Sequence, residues 1–308
     1  MTDILGRASE AAAPGYRISQ LRDPRVIEAR LSDDRVFSAY ALAYLEPDLF
    51  RYTEYWSAEG QSGHGLVMHS RALGAATVTV GDPEAVRAIM SLHPGARLGY
   101  LSTGAPEHLD AVDGTHLATD PLRMVRMSTT ALTFVRPDGE VRRLRGRDAT
   151  RINSLYAMEG PPTRYSEDTV ERSIYYGAFM GDRLVSVAGT HVVSPHQSIA
   201  VVGNVFTHPH YRGQGLAERV TGAVTDELLM RGTSEVVLTV NPENAPAVAA
   251  YTRLGYRRGS AVVEARLQRR DLIGISPWWR RLVARHAGES DTGHGIEWVR
   301  ARARKDHQ

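Results

Sequence analysis

A glycine-rich segment at 211–218 carries the residues of this chain that are best suited to chemistry. It reads YRGQGLAE, follows an apolar run and precedes a pattern typical of a helix. The first N–H groups of a helix lack partners within the helix, and the helix dipole adds partial positive charge there. Gly213 and Gly215 would let the backbone approach an anion closely, and Arg212 adds a full positive charge. The segment therefore predicts an anion site at a helix N-terminus.

Three phosphate-bearing ligands can be compared with this segment. A mononucleotide P-loop ends in Gly-Lys-Ser or Gly-Lys-Thr, and the segment contains no lysine. A dinucleotide loop has a third glycine where Glu218 stands, and it follows the first strand of a βαβ unit, whereas antiparallel hairpins are predicted before this segment. The third ligand is the pyrophosphate of coenzyme A.

Two stretches of the sequence resemble the GNAT superfamily of N-acyltransferases. The family's phosphate loop has Arg or Gln, two residues, Gly, one residue, and then Gly or Ala. The residues at these positions are Arg212, Gly213, Gln214, Gly215, Leu216 and Ala217. One predicted helix and one predicted strand later, a second stretch resembles the family's Asn-x-x-Ala, Tyr and Leu-Gly-Phe/Tyr run. Its matching residues are Asn244, Ala247, Tyr251, Leu254, Gly255 and Tyr256. The resemblance covers 141–267.

The resemblance implies the GNAT fold, an α/β (α+β) arrangement around a mixed sheet. It also implies acetyl-CoA as cosubstrate, no metal, and direct attack by a primary amine in a ternary complex. The family's CoA lies where two adjacent parallel strands splay, and these strands are predicted here at 198–207 and 235–240. The residues that the resemblance places against CoA are Val205, Phe206, Thr207, Arg212, Gly213, Gln214, Gly215, Leu216, Ala217, Glu218, Asn244 and Tyr251.

Tyr251 is the candidate general acid. It stands two helical turns from Asn244, on nearly the same face of a predicted helix. A tyrosine with an unperturbed pKa near 10 is neutral at pH 7 and can donate a proton. Acyl transfer from a thioester expels a thiolate, which a nearby hydroxyl would stabilise and protonate. The resemblance gives Tyr251 this role and places Asn244 on the pantetheine arm or the adenosine part of CoA. The structural alternatives are core packing for Tyr251 and a plain helix cap for Asn244.

The base that takes the proton of the attacking amine is not identified by these motifs. Glu159 ends a predicted helix beside the loop that covers the acceptor site in the family, which makes it a catalytic candidate. Asn204 stands on the strand that lines the cleft and could orient a water molecule. The pair Gly203-Asn204 also suggests a bulge that opens this strand. His191 lies in an apolar strand, which favours a structural role.

Other side chains offer little further chemistry. The chain has no cysteine, which excludes disulfides, thiolate catalysis and cysteine metal sites. His208 and His210 flank a proline beside the glycine-rich segment and are interpreted as surface or turn residues, so no metal site is expected. If Tyr251 does not protonate the thiolate, His208 is the nearest alternative donor in the sequence.

The pattern predicts two consecutive lobes and a tail. A degenerate GNAT-like domain is predicted at 1–130, the catalytic domain at 131–268 and a basic tail at 269–308. This order resembles a two-lobed subgroup of GNAT proteins that includes glycine-acyltransferase-like members. Where a phosphate loop would fall in the first lobe, the sequence reads Gly-Asp-Pro-Glu at 81–84, whose carboxylates would repel a pyrophosphate and whose proline lacks a donor. The first lobe is therefore expected to hold no CoA.

Composition limits the class of protein. The 308 residues are 42% hydrophobic and 23% charged, which is typical of a soluble globular protein. A net charge of +2 is too small to indicate nucleic acid, and no apolar run approaches a membrane span. Tryptophan–arginine segments in the tail, at 277–281 and 298–300, favour docking on the protein over stacking on bases. We expect a cytoplasmic enzyme, monomer or homodimer, with an amine acceptor that the sequence does not identify. A non-catalytic CoA-binding or scaffold module is the alternative.

Overall fold

The computed structural model divides the chain into two compact units, each built from separate segments. The described residues are 11–13, 15–159 and 165–271. The first unit comprises the described residues up to 27, 53–121 and 265–271, and the second comprises 28–52 and 122–264. The tail segments at 277–281 and 298–300 lie outside the described residues. Because 28–52 groups with later residues, the units cross the boundary predicted at residue 130. The assignment of 1–130 to a degenerate lobe stays a prediction.

The described residues form thirteen strands and nine α-helices. The strands are β1 (Ala11–Ala13), β2 (Tyr16–Leu21), β3 (Thr53–Gly60), β4 (Gly63–Ser70), β5 (Ala76–Gly81), β6 (Leu98–Gly104), β7 (His116–Thr129), β8 (Arg142–Arg143), β9 (Tyr175–Met180), β10 (Arg183–Ser194), β11 (Ile199–Thr207), β12 (Glu235–Val240) and β13 (Arg257–Arg269). The helices are α1 (Pro24–Leu31), α2 (Ala39–Ala43), α3 (Pro47–Phe50), α4 (Pro83–Leu92), α5 (His108–Asp113), α6 (Ala149–Tyr156), α7 (Glu167–Arg172), α8 (Leu216–Met230) and α9 (Ala245–Arg253). In the described part of the chain, no helix combines the length and apolarity that a membrane span needs.

The first unit is a sheet in the order β1-β2-β3-β4-β5-β6 with α4 packed on it. Its strand pairs are antiparallel except β5 and β6, which run parallel and are joined through α4. Helix α4 begins at Asp82, which caps it, and at Pro83, whose fixed φ suits the first helical position. Ala85, Val86 and Ile89 are buried and give the helix its apolar side.

The second unit is a mixed sheet in the order β7-β12-β11-β10-β9-β8. Here β11 and β12 are the parallel pair, and α8 connects them. The apolar side of α8 is formed by Val220, Val224 and Leu228, which are fully buried in a core with strand residues such as Leu238. A second cluster, with Ile152 of α6 at its centre, packs on β9 and β10. The mixed α/β fold predicted from the sequence is therefore confirmed.

The segment 28–52 belongs to the second unit because its side chains bond there. Helix α2 contacts β10 and β11. Glu46, which precedes α3, accepts hydrogen bonds from the Ser194 hydroxyl at 2.6 Å and from the His196 amide at 2.9 Å. These contacts hold α2 and α3 on the β10–β11 hairpin. No periodic sequence pattern marks such an association, which is why the sequence did not predict it.

Candidate active site

The parallel strands β11 and β12 part in the middle of the second unit. Their pairing runs from Ile199 opposite Glu235 to Val202 opposite Leu238 and stops there, although both strands continue. The pairing of β11 with β10 skips a residue between Gly203 and Phe206, and Asn204 has a left-handed φ of 54°. An extra residue in one strand of a pair is a β-bulge, which bends the strand away from its neighbour. The bulge predicted at Gly203-Asn204 is thus confirmed.

The N-terminus of α8 is open. Its cap residue Gly215 has a φ of 72° and Gly213 a φ of 79°, which are left-handed conformations that favour glycine. A Cβ built on either glycine would meet no atom within 4 Å. No side chain among the described residues caps the helix. Leu216 is buried in the core and anchors the start of α8, whose first N–H groups have no side-chain cap among the described residues.

Arg212 stands beside this helix end and already contacts an anion. Its Nε donates a hydrogen bond to the Thr207 carbonyl at 3.1 Å, and its Nη2 forms an ion pair with the Glu159 carboxylate. Its guanidinium carbon lies 5.8 Å from the centre of the Phe206 ring. Glu159 therefore lies beside the glycine-rich loop and occupies Arg212. The role of Glu159 as the base stays a prediction. Its ion pair gives Glu159 a second role, as the partner of Arg212.

The residues that follow Arg212 lead into α8, and an ion pair connects this helix to α9. Gln214 is exposed, Ala217 is half-buried, and Glu218 forms an ion pair with Arg253 at 2.7 Å. The Thr207 hydroxyl shares a hydrogen bond of 2.8 Å with the Ser186 hydroxyl. Val205 packs at the edge of the core below α8. All residues that the resemblance placed against CoA up to Glu218 thus lie along one strand end and the helix that follows it.

Asn244 caps α9 and Tyr251 lies within this helix, as the sequence predicts. The Asn244 side chain caps the helix by accepting a hydrogen bond from the Ala247 amide at 3.3 Å. The Tyr251 ring is 6% exposed and lies 6.2 Å from the ring of Tyr256. Burial raises the pKa of Tyr251 to about 12. Its hydroxyl has no hydrogen-bond partner among the described residues and is not sealed off from solvent, so it can serve an incoming group.

Asn204 is the centre of a polar network that sequence reasoning did not predict. Its Oδ1 accepts a hydrogen bond from Tyr165 Oη at 2.9 Å and lies 3.1 Å from Nε2 of His191. Its Nδ2 donates to Tyr175 Oη at 3.0 Å, and its carbonyl accepts from Tyr156 Oη at 2.5 Å. An amide takes up no proton near neutral pH, so Asn204 positions its neighbours and any water between them. The tyrosines come from α6, the residues after it and β9, with no common spacing to reveal them.

His208 is not placed to donate a proton. The side chain is buried, with Nε2 2.8 Å from the guanidinium of Arg183 and Nδ1 3.2 Å from the amide nitrogen of His210. Burial and the Arg183 charge both lower the pKa of His208. Both ring nitrogens thus face donors, which disfavours His208 as the alternative source of a proton for a thiolate. Among the described residues, no group of three or more acidic or histidine side chains could hold a metal ion.

Residues 141–256 match the model of the Acetyltransferase (GNAT) family. This segment is therefore similar to GNAT acetyltransferase domains. Mycothiol acetyltransferase of Amycolatopsis mediterranei is 29% identical over 56% of this chain and 62% of its own length. Mycothiol acetyltransferase of Catenulispora acidiphila is 38% identical over 28% of this chain and 30% of its own length. The [ribosomal protein bS18]-alanine N-acetyltransferase of Escherichia coli is 28% identical over 31% of this chain and 63% of its own length. The chain thus spans less than two thirds of each of these curated relatives.

Solved structures show the same fold over a longer part of the chain. A Drosophila protein superposes with a TM-score of 0.58 at 14% identity, covering 81% of this chain and 98% of its own. A GCN5-related N-acetyltransferase-like protein from Streptococcus suis does so with a TM-score of 0.52 at 13% identity, covering 80% and 100%. At these identities the likeness concerns the fold alone.

Proposed function

We propose that the GNAT domain transfers an acetyl group from acetyl-CoA to a primary amine by direct attack in a ternary complex. One observation carries this proposal: β11, which parts from β12 at Gly203, is followed by the glycine-rich loop at the N-terminus of α8, which no side chain among the described residues caps. An extended molecule with a pyrophosphate at one end and a thioester at the other fits such an arrangement. The pyrophosphate would bind the first N–H groups of α8, and the thioester would lie between the parted strands.

The middle of the cosubstrate would follow the end of β11. Since this part of β11 no longer pairs with β12, we expect the amides of the pantetheine arm to bond the backbone of Val205 and Thr207. Arg212 would release Glu159 and turn its guanidinium to the pyrophosphate, because a doubly charged ligand on a helix N-terminus attracts it more strongly than one exposed carboxylate. Gln214, Ala217 and Asn244 would lie beside the ligand.

Tyr251 would stabilise the departing thiolate. With a pKa of about 12, its hydroxyl stays protonated at neutral pH, so it is always a donor. A thiol has an unperturbed pKa of roughly 8.5, so the thiolate is the weaker base of the two and takes the proton incompletely at equilibrium. The hydroxyl would therefore act in the transition state, as a hydrogen bond that strengthens while negative charge builds on sulfur.

The acceptor would bind where Tyr156, Tyr165 and Phe206 meet. The Tyr156 ring lies 5.6 Å from Tyr165 and 6.0 Å from Phe206, so the three rings form an aromatic wall next to Asn204. Such a wall suits the apolar part of a small amine or of a peptide end. The names of the relatives, which specify mycothiol and a ribosomal alanine, lead us to include an amine that carries a thiol and a peptide with N-terminal alanine among the candidates.

We also propose that the first unit is a degenerate GNAT-like lobe that holds no CoA, in a two-lobed organisation resembling glycine-acyltransferase-like proteins. Support comes from its own β5–α4–β6 element, which repeats the order strand, helix and parallel strand. The Asp82 side chain caps α4 by accepting a hydrogen bond from the Glu84 amide at 2.8 Å. A carboxylate at this position repels a phosphate, so CoA binding is confined to the second unit.

The proposal is tested in two steps. Acetyl-CoA at 100 times its Kd should stabilise the protein by about 2.7 kcal/mol, which a thermal-shift titration detects. Acetylated product is then measured by mass spectrometry with L-cysteine, an N-terminal alanine peptide, an aminoglycoside and spermidine as acceptors. Mass is preferred to thiol release because cysteine itself reacts with thiol reagents. No stabilisation at millimolar acetyl-CoA contradicts the proposal, whereas stabilisation without any product favours the non-catalytic CoA-binding module.

A further inference from the structure

A line of polar side chains crosses the place where β11 and β12 part. Thr239 is the first residue of β12 beyond the paired stretch, and its hydroxyl contacts the guanidinium of the fully buried Arg126 on β7. The Arg126 guanidinium lies 4.9 Å from the ring centre of Tyr40 on α2. Tyr40 Oη lies 2.5 Å from Nδ1 of His191 on β10, and His191 Nε2 lies 3.1 Å from Asn204 on β11. The line thus connects the two strand ends between which the thioester is proposed to lie.

The hydrogen bonds of His191 fix where its proton stands. Asn204 Oδ1 can only accept, so Nε2 of His191 carries the hydrogen. In this orientation of the Asn204 amide, Oδ1 also accepts a hydrogen bond from Tyr165 and Nδ2 donates one to Tyr175. Nδ1 of His191 therefore presents a lone pair, and the Tyr40 hydroxyl donates to it. Nδ1 of His191 is thus the nitrogen that can accept a proton, and the Tyr40 hydroxyl is the group that can pass a proton to it.

Gly203 leaves the space that the His191 imidazole occupies. A Cβ built on Gly203 would lie 2.4 Å from the His191 ring, so only glycine lets the ring lie over β11 here. His191 is nevertheless exposed, and its ring lies 6.1 Å from the Tyr40 ring at an angle of 29°. An exposed histidine held by two hydrogen bonds differs from the structural core histidine that the apolar sequence around it suggests.

The pKa of His191 lies below its ordinary value of 6.5, so the imidazole is neutral at pH 7. The protein atoms that crowd the ring lower the pKa of His191, and the charge of Arg126 lowers it further. The other charged groups facing the line are Glu264 of β13 and Asp34, which act on Arg126 and oppose part of its field. Burial also raises the pKa of Tyr40 above its usual range, so Tyr40 is protonated and passes a proton on rather than losing it.

We propose that His191 is the general base for the acceptor amine, with Tyr40 as its proton shuttle and Arg126 as a positioning residue. As the ammonium N–H bond breaks, its proton joins Tyr40 Oη, while the Tyr40 proton moves to Nδ1 of His191. The nitrogen lone pair is then free to attack the thioester carbonyl, and His191 holds the positive charge that the amine has lost. This proposal rests on the proposed function and supplies the base that it lacks.

The other candidates are placed elsewhere. Glu159 is paired with Arg212 at the phosphate loop, and the ring nitrogens of His208 face donors. Two residues of the line, Tyr40 and Arg126, precede the matched segment 141–256. The segment 28–52 thus contributes chemistry as well as packing. Sequence motifs restricted to the family segment cannot reveal it.

The test compares His191→Gln with wild type in the whole chain. Glutamine keeps an N–H for Asn204 and removes the basic Nδ1. His196→Gln, in the same hairpin but outside the line, is the matched control. The probe is whichever amine of the four-member panel wild type acetylates fastest. We expect kcat/KM to fall about 100- to 10,000-fold in His191→Gln, with an unchanged acetyl-CoA thermal shift. The log-rate profile should also lose the one unit of slope that wild type shows below the lowered pKa of His191.

Tyr40→Phe provides the second variant, since phenylalanine keeps the ring and removes only the hydroxyl. It should lower kcat about 10-fold or more while keeping the acid limb, because water replaces the shuttle but His191 still titrates. A His191→Gln variant with wild-type rate and wild-type acid limb overturns the relay and leaves the acetyltransferase standing. A folded wild type that binds acetyl-CoA but acetylates none of the four amines overturns both. Tryptophan fluorescence at each pH confirms that the protein stays folded.

Discussion

Each unit contains one element in which a strand, a helix and a parallel strand follow one another, and the two differ at the start of the helix. In the first unit α4 begins at Asp82, whose side chain bonds the Glu84 amide, and the next residue is a proline. In the second unit α8 begins at Gly215, with left-handed backbone and no side-chain cap among the described residues. The same order of elements thus gives one closed and one open helix end. An anion site depends on the few residues before the helix more than on the fold.

The helices that follow the second strand of each element, α5 after β6 and α9 after β12, differ in the same way. In the first unit the fully buried His108 of α5 lies 2.8 Å from the Thr79 hydroxyl and 2.9 Å from the Gly81 carbonyl, so its ring closes the end of β5. In the second unit the helix after the parallel strand is α9, and it presents the Tyr251 hydroxyl without a partner among the described residues. Helix α5 thus closes its strand end with the His108 ring, whereas α9 offers the Tyr251 hydroxyl as a donor.

The largest expected effect comes from closing the open helix end. Gly215→Glu should weaken acetyl-CoA binding at least 100-fold, because a carboxylate and its side chain would occupy the pyrophosphate position. Gly232→Glu is the matched control, since Gly232 follows α8, has a φ of 90° and also has no atom within 4 Å of a built Cβ. Both variants carry a similar backbone strain of about 1–2 kcal/mol. Thermal-shift titration of both should separate them, and equal acetyl-CoA affinities would place the phosphate elsewhere.

Tyr251→Phe should lower kcat by about 10- to 1,000-fold, since the role proposed for the hydroxyl is confined to the transition state. Acetyl-CoA affinity should stay within a few-fold of wild type because the ring still packs against the core. Tyr256→Phe is the control: its hydroxyl is bonded to Thr225 at 2.7 Å, so its loss should affect stability and leave kcat unchanged. Steady-state kinetics with the best amine of the panel measures both. An unchanged kcat in Tyr251→Phe, with chemistry limiting, would leave Tyr251 a packing residue.

The buried histidines of the first unit should make that unit sensitive to acid. Burial lowers the pKa of His116 to about 4 and also lowers that of His108. In the unfolded chain these histidines have an ordinary pKa near 6.5. Their contribution to the free energy of unfolding is therefore fully present above pH 6.5 and is lost as the pH falls towards the pKa in the folded protein. For His116 the loss between pH 6.5 and 4 is about 3 kcal/mol. Hydrogen exchange should show peptides of β3–β6 losing protection over this range. His116→Gln should flatten the dependence, and equal protection at both pH values would contradict it.

The smallest effect is expected from opening the closed helix end. Asp82→Ala removes the cap of α4 and should destabilise the protein by about 1 kcal/mol. It should leave acetyl-CoA affinity unchanged, because Glu84, Pro83 and the ring of His108 remain in place. Urea unfolding and a thermal-shift titration measure the two quantities. A loss of acetyl-CoA affinity as large as that of Gly215→Glu would mean that the first unit takes part in binding.

The sequence predicted the features that depend on neighbouring residues and missed those that depend on distant ones. The open end of α8 and the bulge at Asn204 follow from glycines and strand-breaking residues within a few positions. Tyr40 could not be linked to His191, because the contact joins segments 151 positions apart that share no periodic pattern. The predicted helix ends at Tyr156 in the structure, three residues before Glu159, and the ion pair of Glu159 with Arg212 joins residues 53 positions apart. Long-range side-chain contacts of this kind require coordinates.

The most direct test of the account is the number of acetyl-CoA molecules bound by one chain. Isothermal titration of the wild-type protein with acetyl-CoA should give one site per chain, and the same titration of Gly215→Glu should give none. Folding of the variant is verified by its urea transition. Two sites per chain, or one site that persists in the folded Gly215→Glu variant, would contradict the claim that the open end of α8 alone holds the cosubstrate.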